Sequence, residues 1–109
     1  MVMEMKNGEF KAFPNFKGGE KEMSANMFFD GDNRILCGRL VPGASIGYHK
    51  HEGNCEVIYI LEGKAKYLID DGVEYGVAGQ CHYCPEGHSH AMINEGPEDL
   101  VFFAVVPKQ

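Results

Sequence analysis

His49-Lys-His51 places two imidazoles two residues apart. On a β-strand, side chains alternate between faces, so such a pair shares a face and can aim at one point. Glu56 opens the next apolar stretch after the short loop Glu52-Gly-Asn-Cys55, and His90 follows the turn Pro85-Glu-Gly87. If the strands carrying these residues lie together, three imidazoles and one carboxylate converge. A carboxylate buried alone suffers a desolvation penalty that a cation removes. The chemistry of the cluster is therefore coordination of one divalent metal ion, and mixed nitrogen and oxygen donors suit Mn, Fe, Co, Ni or Zn. Four protein ligands leave two positions of an octahedral site open, which favours Mn or Fe.

The elements that must position these residues are short strands. From Ala25 onward, turn signals recur roughly every ten residues, the pattern of an all-β sandwich or barrel. The spacing predicts strands over Met27–Phe29, Arg34–Val41, Ser45–His51, Glu56–Leu61, Lys64–Asp70, Val73–Val77, Gln80–Cys84, His88–Asn94 and Asp99–Val106. Asp71-Gly72 reads as a two-residue hairpin turn, with Gly supplying positive φ. Pro42-Gly43, Glu62-Gly63, Ala78-Gly79 and Pro85-Glu86-Gly87 mark other turns. No stretch of a dozen residues keeps a helical period without Gly or Pro, so helix content is expected to be low. Residues 1–24 are expected to form an N-terminal strand and arm packed on the outside of a single barrel domain, 25–109.

Length and charge bound the function. A chain of 109 residues with 44% hydrophobic content fits one globular domain. Its net charge of −6, with no stripe of Lys or Arg, argues against nucleic acid or an acidic membrane surface as partner. The N-terminus has no apolar run of a signal peptide, and the longest apolar run, Leu100 to Val106, is far short of a membrane span. A cytoplasmic location is expected, with Cys37, Cys55, Cys81 and Cys84 as free thiols. Cys81-His-Tyr-Cys84 has the spacing of a redox or zinc pair, but residues three apart on a strand face opposite ways. By the same alternation Cys55 faces away from its neighbour Glu56.

The candidate ligands sit in a larger pattern. Gly43, His49, His51, Glu56 and Gly63 resemble the first motif of the cupin family in type and spacing, and Gly79, Pro85, Gly87, His90 and Asn94 resemble the second. All ten positions match, and at roughly one chance in twenty per position coincidence is negligible. The motifs span residues 43–94 and are separated by 15 residues, as in small single-domain microbial members. The resemblance implies an all-β, double-stranded β-helix (jelly-roll) barrel with the metal inside. It implies that His49, His51, Glu56 and His90 are the ligands, that the motif glycines are turn residues, and that Pro85 fixes the entry to the strand bearing His90. Asn94 would have a structural or supporting role. Cysteine dioxygenases share this fold but lack the motif glutamate, so Glu56 argues against their reaction.

Cupins are functionally diverse, and fold alone does not fix function. The first expectation is a metal-dependent enzyme acting on a small organic acid, sugar or phenolic, of dioxygenase, isomerase or lyase/decarboxylase type, with the metal as Lewis acid or dioxygen site. The alternative is a non-catalytic small-molecule binding or sensing module. Ile58, Ile60 and Met92 are expected to line the pocket by alternation with Glu56 and His90. His82, Tyr48 and Tyr67 are weak candidates for an acid or base, and His88 reads as a solvent-facing turn residue. The last strand is apolar on both faces, so its outer face must be covered by the N-terminal segment or by a second copy. A homodimer is expected, with Tyr59 and Leu61 as candidates for that outer layer.

Overall fold

The computed structural model describes all 109 residues. Ten strands run in chain order: β1 Lys11–Pro14, β2 Glu22–Phe29, β3 Asn33–Leu40, β4 Ser45–Lys50, β5 Glu56–Glu62, β6 Lys64–Ile69, β7 Gly72–Val77, β8 Cys81–Cys84, β9 Ser89–Ile93 and β10 Leu100–Pro107. They form two antiparallel sheets, one in the order β1-β2-β3-β10-β5-β8 and one in the order β4-β9-β6-β7. The only helical element is a single 3-10 turn, Phe16–Gly18. No helix is long and apolar enough to cross a membrane. This is the expected all-β jelly roll.

The core lies between the sheets and follows strand alternation. On β10, Leu100, Phe102, Ala104 and Val106 turn inward, and they meet Leu36 and Leu40 of β3 and Ile58 and Ile60 of β5. Gly38 leaves the space that the Phe102 ring fills, and a Cβ there would collide with it. The four motif glycines, Gly43, Gly63, Gly79 and Gly87, all have φ between 86 and 91°. They are turn residues, as the motif implies.

Two sequence expectations are corrected. The strand expected at Met27 begins at Glu22, where Met23, Ala25 and Met27 alternate with polar residues and turn toward the core. The hairpin expected at Asp71-Gly72 turns one residue earlier. Ile69 pairs with Gly72, the loop residues are Asp70 and Asp71, and the positive φ, 51°, belongs to Asp70. Aspartate tolerates the left-handed region well enough to serve there.

The N-terminal segment adds β1 to the edge of the larger sheet, and Phe13 and Phe16 pack against the core. Residues before β1 reach the outer face, where Asn26 Nδ2 donates to the carbonyls of Glu4 and Met5 at 2.8 and 2.9 Å. Farther along that face Val57, Tyr59 and Tyr83 remain exposed.

Candidate metal centre

His49 and His90 are cross-strand partners in the smaller sheet. The β4–β9 register shifts between Ile46 and His49, and Gly47 sits in that irregular stretch. There the Gly47 carbonyl accepts a hydrogen bond from His49 Nδ1 at 2.7 Å. His51 lies just past β4 and is clipped to the β8–β9 turn. Its amide donates to the His88 carbonyl at 3.0 Å, and its carbonyl accepts from the Gly87 amide at 2.7 Å. Glu56, the first residue of β5, faces the three histidines from the other sheet.

The four side chains meet. Glu56 Oε1 lies 3.2 Å from His51 Nε2 and 2.9 Å from His90 Nε2, and the two Nε2 atoms are 2.9 Å apart. His49 packs against both rings at centroid distances of 4.9 and 4.8 Å. One donor atom from each of His49, His51, Glu56 and His90 falls within 4.8 Å of all the others. Ligands on opposite sides of one ion with bonds of about 2.1 Å stand about 4.2 Å apart, so a small inward movement of the side chains brings all four within reach of a shared ion.

The protons in the site are assigned by the acceptors around it. His49 Nδ1 donates to the Gly47 carbonyl, and His51 Nδ1 donates to Asn54 Oδ1 at 2.6 Å. His90 Nδ1 lies 2.9 Å from His82 Nε2, while His82 Nδ1 donates to Glu74 Oε1 at 2.6 Å. With its Nδ1 proton hydrogen-bonded to Glu74, the neutral His82 ring presents Nε2 as acceptor for the Nδ1 proton of His90. In the His49, His51 and His90 rings the proton is thus on Nδ1 and the lone pair on Nε2. Three lone pairs and a carboxylate then face one another, an arrangement that requires positive charge at its centre. The donor set fits a divalent ion.

The electrostatics agree. Burial pushes the Glu56 carboxyl up, but in the metal-free site the His51 and His90 rings, once protonated on Nε2 as well, donate to it and outweigh burial, holding the group at about 2. Burial lowers His49. For His51 burial also acts downward, but Glu56 and Asn54 outweigh it and raise the pKa. The site already attracts cations, and protons occupy that role when metal does not.

A cavity of about 280 Å³ opens over His49, His51 and Glu56. Its apolar wall is Phe16, Met27, Leu36 and Ile46, and its charged wall includes Lys17 and Arg34. Ile58, Ile60 and Met92 do not line it. They face inward as expected but fill the closed core. Alternation fixes the face of a residue and not its height in the barrel.

The remaining candidates separate cleanly. Tyr48 lies outside, its hydroxyl donating to the Asp70 carbonyl at 3.1 Å. Tyr67 is buried but its ring stacks on His82 at 3.8 Å, away from the cavity over the ligands. His88 is half exposed and bonds to Asp70 Oδ2 at 2.6 Å. Cys81 is exposed and Cys84 buried, so they face opposite ways. Asn94 is structural: its Nδ2 donates to the carbonyls of Leu40 and Glu98. The sequence alone does not single out Arg34 or Glu74. Arg34 had a signal, because it shares the inward alternation of Leu36 and Leu40.

Comparison with known proteins agrees with the geometry. The Cupin domain family matches residues 38–106. An oxalate-binding protein of Thermotoga maritima is 42% identical over 69 residues, which cover 62% of this chain and 56% of that protein. The match thus spans little more than half the length of that relative. A crystal structure from the same organism, a predicted oxalate decarboxylase, superposes with a TM-score of 0.92 at 30% identity over the whole of both chains. A sugar phosphate isomerase of Silicibacter pomeroyi shares the fold, with a TM-score of 0.71 at 23% identity over 80% of this chain and 60% of that one. With both motifs in place on a jelly roll and the family match covering most of the barrel, the chain belongs to the cupin family.

Proposed function

We propose that this cupin holds one divalent metal ion on His49, His51, Glu56 and His90 and uses it on a small organic acid. The observation that carries the substrate class is Arg34. It enters from β3 beside Val106, and its Nε is buried without a hydrogen-bond partner on the wall of the cavity over the ligands. Phe29 supports the guanidinium from the side, 4.7 Å from the ring centroid to Cζ. A planar guanidinium with free donors matches a carboxylate in geometry and charge. Lys17 adds a second positive charge at the mouth. The cavity volume of about 280 Å³ suits a molecule of few atoms.

A bound divalent ion supplies Lewis acidity to a coordinating carboxylate. The chain's own residues do the rest. Arg34 orients the acid from one side, Met27, Leu36 and Ile46 exclude water around it, and Asn54 holds the His51 ring in place. The enzyme reading, of lyase or decarboxylase type, comes first. A second reading, binding without turnover, is favoured by the name of the oxalate-binding relative.

Titration of Mn²⁺-loaded and metal-free protein with oxalate tests this. Binding that requires the metal is expected, and an assay of oxalate consumption by the same sample separates turnover from binding. A metal-loaded protein that binds neither oxalate nor other small mono- and dicarboxylates contradicts the proposal.

A further inference from the structure

Behind His90, on the side away from the ion site, two residues continue the hydrogen-bond network. His82 is 2% exposed on β8, and the β5–β8 register sets it opposite Ile58, on the same inward face as Glu56. Its ring is nearly parallel to Tyr67, at 5° and 3.8 Å, so it cannot tilt without displacing a buried aromatic. Its Nε2 meets His90 Nδ1 at 2.9 Å, and its Nδ1 meets Glu74 Oε1 at 2.6 Å. Glu74 stands on β7 with about half of its side chain exposed, beside a second, open cavity also lined by Tyr67, Gln80 and Cys81. A continuous chain thus runs Glu74–His82–His90 from the surface to the candidate centre.

We propose that Glu74 and His82 are positioning residues that fix the orientation and tautomer of His90 and so set the affinity of the centre for its metal. The reasoning is directional. The Glu74 carboxylate accepts from His82 Nδ1, so the neutral His82 ring has its Nε2 left as an acceptor toward His90. His90 must then carry its proton on Nδ1 and present the Nε2 lone pair to the ion. Remove the acceptor at position 82 and His90 is free to rotate or to carry its proton on Nε2, where it blocks coordination. His49 and His51 take the same tautomer from the Gly47 carbonyl and the Asn54 side chain, so His90 differs in relying on a two-residue relay. Outer partners of this kind typically change metal affinity 10- to 100-fold.

The inference rests on the metal reading, and the test keeps the two apart. Full-length wild-type, His82→Leu, His82→Gln and Glu74→Ala proteins are titrated with Co²⁺, reading the dissociation constant and the visible absorption of the bound ion, alongside thermal melting of each metal-free protein. Glutamine at position 82 can still accept from His90 and donate to Glu74. The expected result is a loss of Co²⁺ affinity of about 10- to 100-fold with an altered spectrum in His82→Leu. Most of the affinity should return in His82→Gln, and Glu74→Ala should lose some in the same direction. Wild-type affinity in His82→Leu overturns the inference, as does a His82→Gln protein as weak as His82→Leu, because that pattern marks packing rather than hydrogen bonding. If His82→Leu does not fold, Glu74→Ala decides, and unchanged affinity there overturns the relay. A wild-type protein that binds no Co²⁺ overturns the metal reading itself, and the inference with it.

Discussion

The Nε2 atoms of His51 and His90 face each other at 2.9 Å, and the acceptors behind both rings assign their protons to the far nitrogens. Two lone pairs at that distance repel unless positive charge lies between or beside them. Glu56, ionised down to about pH 2, cannot supply it. The contact is therefore a competition site for metal ions and protons, and the prediction is acid release. As pH falls, protons compete with the ion first at His51, whose pKa Glu56 and Asn54 raise, and later at His49, whose pKa burial lowers, while Glu56 stays charged. Metal content after equilibration across a pH series should fall below about pH 6, and full occupancy at pH 4 would contradict the assignment.

Arg34→Met should separate the acid from the metal. Methionine keeps much of the packing against Phe29 but removes the free donors. Metal content is expected to be unchanged and oxalate binding to the Mn²⁺-loaded protein about 10- to 100-fold weaker, the loss of one charge-assisted hydrogen-bonded pair of about 1.5–3 kcal/mol. Equal oxalate affinity in the two proteins, measured calorimetrically, would remove Arg34 from the site.

Gly47 packs so closely under the 3-10 turn that a Cβ would collide with the Lys17 carbonyl, and Gly19 meets the Ser45 carbonyl in the same way. This contact holds Phe16 and Lys17 at the mouth of the cavity. Gly47→Ala must push the turn off β4. A destabilisation of about 1–3 kcal/mol in denaturant unfolding is expected, as for other overpacked sites. A stability equal to wild type would show that the turn yields freely.

The outer face of the larger sheet aligns two largely uncharged rows. Phe28, Ile35, Val105, Val57 and Tyr83 form one, and Phe103 and Tyr59 belong to the other. We propose that a second copy covers it, since an antiparallel face of this kind can pair with itself about a two-fold axis. Light scattering should give the dimer mass, and Val57→Lys combined with Tyr59→Lys should give a monomer. A wild-type monomer at micromolar concentration would contradict the pairing.

The convergence of His49, His51, Glu56 and His90 is legible because strand alternation and turn chemistry are local. His49 and His51 share a face by parity, and fixed glycine spacing ties Glu56 and His90 to turn positions. His82 and Glu74 were not legible as a pair, because their meeting depends on β8 pairing with β5 in one sheet and on β7 forming the edge of the other. The start of β2 is masked although Met23, Ala25 and Met27 alternate, because charged residues before it resemble a loop. Parity gives the inward face of Ile58 and Met92 but not their depth, which places them in the closed core below the cavity.

The central claim is that His49, His51, Glu56 and His90 hold one metal ion together. Its most direct test is elemental analysis of the purified protein and of His51→Ala and His90→Ala after equal exposure to Mn²⁺, Fe²⁺ and Zn²⁺. About one divalent ion per wild-type chain and little in either variant is the predicted result, and equal metal content in all three proteins would contradict it.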